Sequence, residues 1–246
     1  MSQAPAGIRV GILIFDQVEV LDFAGPFEVF ATTRLDESRR TETDSPFDIR
    51  LVAERKRPVT TAGGMMVVPH HDFKDCPALD ILVVPGGRGA RRELSNIRLM
   101  EWLRAQSNGL SLLAGVCTGS MLLGQAGLLE GLRATTHWRS LDWMRDYFPD
   151  VMVVEDEFVV DAGSVITSAG ISAGIDMALQ LVMRFYGQDV ARATACYMEY
   201  PFPENSRPRQ VHKLKAGPRG GRGGGGAPRP PPRGGGGGGG GGGPPP

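Results

Sequence analysis

Between Leu112 and Leu123 the chain reads Leu-Leu-Ala-Gly-Val-Cys-Thr-Gly-Ser-Met-Leu-Leu. An apolar stretch of strand length stops at one cysteine, Cys117, and small residues lead at once into a helical pattern. A side chain on so tight a strand-to-helix turn stands clear of the sheet, with the first turn of the helix beneath it. Gly115 and Gly119 flank the cysteine and give the backbone the freedom such a turn needs. Free N–H groups and the positive end of the helix dipole favour thiolate over thiol there, and the thiolate is the nucleophile. The competing reading is a buried, inert cysteine, since free Cys is among the most buried residue types.

The rest of the chain supplies the sheet that such a turn requires. Residues 8–15 crowd Ile8, Val10, Ile12, Leu13, Ile14 and Phe15 together, which predicts a fully buried strand. Residues 21–33 read as a loop entering a helix, with Pro26 near the helix's first turn, where a missing N–H does no harm. Further strands are expected at 47–54, at 79–84 up to Pro85-Gly86-Gly87, and at 110–116, with a hairpin around Gly63-Gly64 within 58–73. Helices are expected at 97–107, 118–128, 139–147, 175–186 and 189–200, and a second hairpin over 158–168 turning at Asp161-Ala162-Gly163. Strands alternating with helices in this rhythm predict an α/β fold: a doubly wound, mostly parallel sheet with helices on both faces. Active sites in that architecture gather beyond the carboxyl ends of the strands.

The chain's end is unlike the rest. Of 27 basic residues, eight fall from Arg207 onward, where there is no acid, and the segment includes ten consecutive glycines. Such a Gly/Pro/Arg-rich stretch cannot bury enough apolar surface to offset its ordering entropy, so 207–246 is expected to be a disordered tail behind a single domain at 1–206. Arg219-Gly220-Gly221-Arg222 is akin to RGG segments that bind RNA, but no aromatic residue is interleaved, and an inert linker is the preferred reading. Residues 1–206 then carry 19 basic against 27 acidic residues, a net charge of about −8 that makes a nucleic-acid partner unexpected. No apolar run reaches the length of a membrane span, and no secretory leader is evident, so the expected location is cytoplasmic. Cys76, Cys117 and Cys196 are too widely spaced for a disulfide framework or a thiolate zinc site.

Three segments converge on one site. Cys117 supplies a nucleophile, while Gly86 and Gly87, directly after an apolar strand, offer bare N–H groups as an oxyanion hole with the Thr118 amide as a further donor. Asp22 sits among apolar residues in Leu21-Asp22-Phe23-Ala24-Gly25-Pro26, where burial would raise its pKa and keep a shareable proton near neutrality. Read alone, an Asp before Gly-Pro is usually a helix cap. His137, in Thr135-Thr136-His137-Trp138, is either a substrate contact or general base, or a hydrogen-bonded structural histidine. His70 and His71 point to opposite sides of an extended segment and make a poor metal pair, so a solvated loop is expected there. No metal or cofactor is called for.

Leu-Asp-Phe-Ala-Gly-Pro, Val-Val-Pro-Gly-Gly, Val-Cys-Thr-Gly-Ser, Arg-Ala-Thr-Thr-His-Trp and Thr-Ser-Ala-Gly-Ile-Ser-Ala-Gly-Ile-Asp, in that order, resemble the ThiJ/PfpI superfamily over residues 7–200. The resemblance implies a flavodoxin-like, class I glutamine-amidotransferase-like fold, a homodimer and a small-molecule substrate. Its nearest branches are the isonitrile hydratases and the amidase-like sensor domains of AraC-type regulators. Carried over from the hydratases, the catalytic residues are Cys117, Asp22 and Thr118; Gly86, Gly87, His137 and Ile171 are the expected oxyanion and substrate-binding residues. Superfamily proteases place His directly after the cysteine; Thr118 stands there in this chain, which disfavours triad-type peptide hydrolysis. Ser168-Ala169 replaces a Gly-Gly pair of the hydratase pattern and is common in the sensor branch. The resemblance thus implies isonitrile hydration, with ligand sensing, glyoxalase-like carbonyl chemistry and oxidation sensing as alternatives.

Overall fold

A computed structural model describes residues 7–203 and Arg209, all within the first of two units, Met1–Leu214 and Lys215–Pro246. Apart from Arg209, the expected disordered tail at 207–246 lies outside the described residues.

The chain opens with β1 (Ile8–Leu13) and α1 (Val20–Thr32), then β2 (Phe47–Ala53). The small antiparallel pair β3 (Val59–Thr60) and β4 (Met66–Val67) is the hairpin that Gly63-Gly64 announces. β5 (His71–Asp72) follows, then β6 (Ile81–Val84), the short α2 (Ala90–Glu93), α3 (Ile97–Ser107) and β7 (Leu112–Val116). After the cysteine come α4 (Gly119–Gln125), β8 (Arg133–Ala134), α5 (Leu141–Tyr147) and β9 (Met152–Val153). β10 (Val159–Asp161) and β11 (Val165–Ser168) form the second hairpin, and α6 (Ala173–Tyr186) and α7 (Gln188–Tyr197) close the described chain.

Seven strands pair in the order β10-β11-β7-β6-β1-β2-β5, all parallel except β10 against β11. The crossover β1-α1-β2 runs toward the β5 edge, whereas β6-α3-β7 runs toward the β10 edge. Right-handed connections in opposite directions place α1 and α3 on opposite faces. α6 packs on α1 and α7, while α4 packs on α2 and α3, so both faces are covered. All four side chains of β6 are fully buried, which is why this strand reads as an unbroken apolar run rather than an alternation. The winding direction changes between β1 and β6, and a crevice opens beyond their carboxyl ends.

Three local expectations need correction. The strand expected over 8–15 is not buried throughout: β1 ends at Leu13, and Arg9 is exposed and paired with Asp80. Pro26 lies seven residues into α1 rather than in its first turn, so its ring removes the amide that would bond the Asp22 carbonyl. The His70-His71 segment is not a free loop: His71 begins β5, paired with β2, and His70 Nδ1 accepts the Leu51 N–H at 2.9 Å. The parallel pairing of β8 with β9 has too few residues to announce itself by pattern.

Gly119 is where the sheet and the cysteine turn meet most closely. A Cβ there would sit 1.9 Å from the Val84 carbonyl oxygen at the end of β6. Backbone on both sides leaves nothing to rotate away. Gly119→Ala is expected to cost about 3 kcal/mol, read as a lower urea midpoint at unchanged slope; an unshifted midpoint would show that the turn can slide off β6.

Candidate functional site

Cys117 follows β7 directly and has a positive φ of 57°, a left-handed conformation unusual for a residue with a side chain. Neighbours hold it there: its N–H donates to the Ser168 carbonyl at 3.0 Å, and its own carbonyl accepts the Thr136 hydroxyl at 2.8 Å. On the other side Gly170 presses close, where a Cβ would meet His137 Cδ2 at 2.4 Å and the Cys117 sulfur at 2.9 Å. The thiol is therefore aimed by backbone, with little freedom of its own.

Asp22 lies in the first turn of α1 and is completely buried. It does not cap the helix. Its Oδ2 accepts the Gly86 N–H at 3.0 Å, while its buried Oδ1 has no conventional hydrogen-bond partner, and the carboxyl interacts with the Cys117 thiol. Burial raises its pKa to about 7, with the Gly86 amide and the thiol opposing. The sequence expectation of a carboxyl that keeps a proton near neutrality thus has a physical cause in this site.

The thiolate expectation changes. Burial first, and then the Asp22 charge, push the Cys117 thiol well above its ordinary range, although the amide and hydroxyl of Thr118 pull the other way. The first turn of a seven-residue helix does not overcome desolvation of the sulfur. The two groups titrate as a pair. With one proton between them, burial leaves that proton on the sulfur and Asp22 as the carboxylate beside it.

The glycine amides are also not bare. Gly86 N–H is occupied by Asp22, and Gly87 N–H donates to Thr118 Oγ1 at 3.0 Å. Thr118, whose amide and hydroxyl both interact with the sulfur, is left as the donor facing Cys117. Gly86 and Gly87 instead hold Asp22 and Thr118 in place.

A cleft of about 460 Å³ opens over the sulfur, lined by Cys117, Thr118, Gly87, His137 and Ile171, together with Glu19, Arg88, Arg91 and Arg139. Asp22 and Gly86, both buried, do not line it. Larger hollows of about 660 and 730 Å³, beside Asp16 and beside Trp102, do not reach the cysteine. Half-buried His137 accepts the Arg139 N–H on Nδ1 at 3.3 Å, and burial, Arg209 and Arg139 lower its pKa. A neutral ring accepting on Nδ1 carries its proton on Nε2, so it is a donor rather than a base in this state. Among the described residues no group of three or more His, Cys, Asp or Glu side chains is placed to hold a metal ion.

Arg209 escapes sequence reasoning altogether, since it sits in a stretch with no apolar pattern. It is buried, donating from Nη1 to Thr135 Oγ1 at 3.1 Å and from its backbone N–H to the Asp156 carbonyl at 2.7 Å. Burial lowers its pKa, and Cys117 and Glu155 oppose that. The arginines of the cleft did leave a signal: Arg88 and Arg91 follow Gly87, and Arg139 follows His137, in an otherwise acidic domain.

The family model described as the DJ-1/PfpI family matches residues 8–184. The chain is 36% identical over 205 residues to an isonitrile hydratase of Pseudomonas putida, covering 81% of this chain and 83% of that protein. It is 35% identical over 156 residues to the HTH-type transcriptional regulator CdhR of Pseudomonas aeruginosa, covering 63% of this chain and 45% of the regulator. A crystal structure of a ThiJ/PfpI family protein from Pseudomonas syringae superposes with a TM-score of 0.71 at 29% identity, covering 83% of this chain and 81% of that one.

Between about pH 4 and 7 the folded protein holds a proton on Asp22 that the unfolded chain has released. Stability therefore falls as pH rises through that window, by up to about 4 kcal/mol. Asp22→Asn removes this loss, so the variant is expected to be more stable than the parent at pH 8, with the gap closing toward pH 4 in urea titrations. A gap that widened toward low pH would mean that the site favours the carboxylate.

Proposed function

Because this chain belongs to the DJ-1/PfpI family, we propose that it is a cysteine-dependent hydratase that converts an isonitrile and water into an N-substituted formamide. The observation that carries this reading is the buried Cys117–Asp22 pair beneath a small cleft. Isonitrile hydration needs one nucleophile and one movable proton at the same carbon, and nothing more.

The steps follow from the proton count. The terminal carbon of the isonitrile sits over the Cys117 sulfur; as the C–S bond forms, Asp22 takes the thiol proton and passes it to that carbon. The product is a thioformimidate, R–N=CH–S–Cys117. Water then adds to the carbon, its proton going by way of Asp22, and the C–S bond breaks with protonation of nitrogen. The formamide leaves, and the pair again holds one proton. Thr118 steadies charge on the sulfur at both steps, and the Ile171 side chain gives the substituent an apolar wall. His137, with a donor on Nε2, orients the attacking water or the nitrogen. The reading includes a cytoplasmic homodimer, and a catalytic domain whose boundary lies beyond Arg209.

Ligand sensing is the second reading, favoured by the similarity to the regulator CdhR, of which this chain spans about half. Glyoxalase-like chemistry is separated by an assay of methylglyoxal consumption.

Formamide production from cyclohexyl isocyanide by the full chain tests the proposal. Cys117→Ala is expected to fall to background, and Asp22→Asn by about 10²- to 10⁴-fold. In the wild type, kcat/KM is expected to rise about tenfold per pH unit up to about pH 7 and level off above it, as the pair loses its first proton. That inflection disappears in Asp22→Asn. Turnover that survives Cys117→Ala would falsify the mechanism.

A further inference from the structure

The cleft holds more positive charge than a neutral isonitrile calls for. Arg88, in the loop after Gly87, Arg91 on α2 and Arg139 in the turn after His137 line it from different segments of the chain. Among the described residues these three guanidinium groups have neither a hydrogen bond nor an ion pair. Elsewhere arginines are committed: Arg9 to Asp80, Arg57 to Asp16 and Arg184 to Asp161, while Arg104 donates to the Ala126 carbonyl.

The aromatic neighbours make the contrast sharper. The Arg91 guanidinium lies 5.3 Å from the Trp143 ring centre, and that of Arg139 lies 4.9 Å from the Trp138 ring centre. A ring face supports the flat guanidinium and leaves its N–H edge unspent. Glu19 supplies a negative charge to the same cleft, so the lining carries three formal positive charges against one. Like charges gathered without a partner repel one another, and residues 1–206 as a whole are acidic. An anion arriving in the cleft relieves that repulsion.

We propose that the substrate carries a carboxylate at the end remote from its electrophilic carbon, making it an isocyano carboxylic acid rather than a neutral isonitrile. This rests on the hydratase reading for the reacting end and on the three arginines for the other. The guanidinium fork matches a carboxylate with two parallel N–H···O bonds. One net carboxylate suits a cleft of about 460 Å³ whose surplus charge Glu19 already reduces. The three arginines are exposed and Cys117 is buried, so the anion is held outward while the isonitrile carbon meets the sulfur. Atoms balance as in the neutral reaction, the carboxylate passing through unchanged.

Two measurements on the full chain separate this inference from the reaction it builds on. The first compares kcat/KM for 4-isocyanobutanoate and its methyl ester, which differ in charge at the same end. The acid is expected to be preferred at least tenfold, through KM, and the triple variant Arg88→Gln, Arg91→Gln, Arg139→Gln to bring it down to the ester's level. Parity of acid and ester in an active wild type overturns the proposal. The second compares iodoacetate with iodoacetamide as alkylating agents of Cys117, followed by peptide mass and normalised to free cysteine. An iodoacetate preference at least tenfold above that of free cysteine, lost in the triple variant, supports an anion-selecting cleft even if neither isonitrile is turned over. In that case only the hydratase reading fails. A ratio equal to that of free cysteine, with both isonitriles inert, overturns the anionic class as well.

Discussion

The hydrogen bond from the Gly86 amide to Asp22 Oδ2 ties the first turn of α1 to the loop that ends β6, across the point where the sheet changes its winding direction. It satisfies one oxygen of a carboxyl that has lost all contact with solvent, and leaves the other buried without a conventional partner. Remove the burial and the carboxyl ionises like any other; remove the Gly86 amide and its orientation is lost. The chemistry of the site thus depends on a packing decision, that of driving an aspartate into the seam between helix and sheet.

Much of this was legible in the residues. Apolar runs with abrupt polar or glycine ends marked β1, β6 and β7, because strands buried on both faces, as β6 and β7 are throughout and β1 is from Val10 onward, have no room for alternation. The turn at Cys117 announced itself for the same reason: small residues are needed where backbone meets backbone, and Gly119 against the Val84 carbonyl is that contact. The pairings of β5 with β2 and of β8 with β9 were not legible. Each takes two residues from either strand, and their partners lie roughly twenty residues away in the chain.

The site's electrostatics were harder to read than its geometry. Motif spacing placed Asp22 and Cys117 together, yet could not say how dry their common environment is, and desolvation outweighs the helix end in setting the sulfur's protonation. Likewise the amides of Gly86 and Gly87 looked free in the sequence, because the side chains that occupy them come from α1 and from the turn after β7. Arg209 is an extreme instance, brought to Thr135 from 74 positions away with no periodicity to announce it.

The supports of the cysteine and the lining of the cleft's rim are different residues, though some are close neighbours in the chain. Cys117 is fixed by the Ser168 carbonyl, the Thr136 hydroxyl and the closeness of Gly119 to β6. The rim belongs to the loop before α2, to α2 itself and to the turn after His137. A lineage built on this scaffold is free to exchange rim residues, and with them the molecules its cleft admits, while the cysteine and the carboxyl beside it pass unaltered from ancestor to descendant.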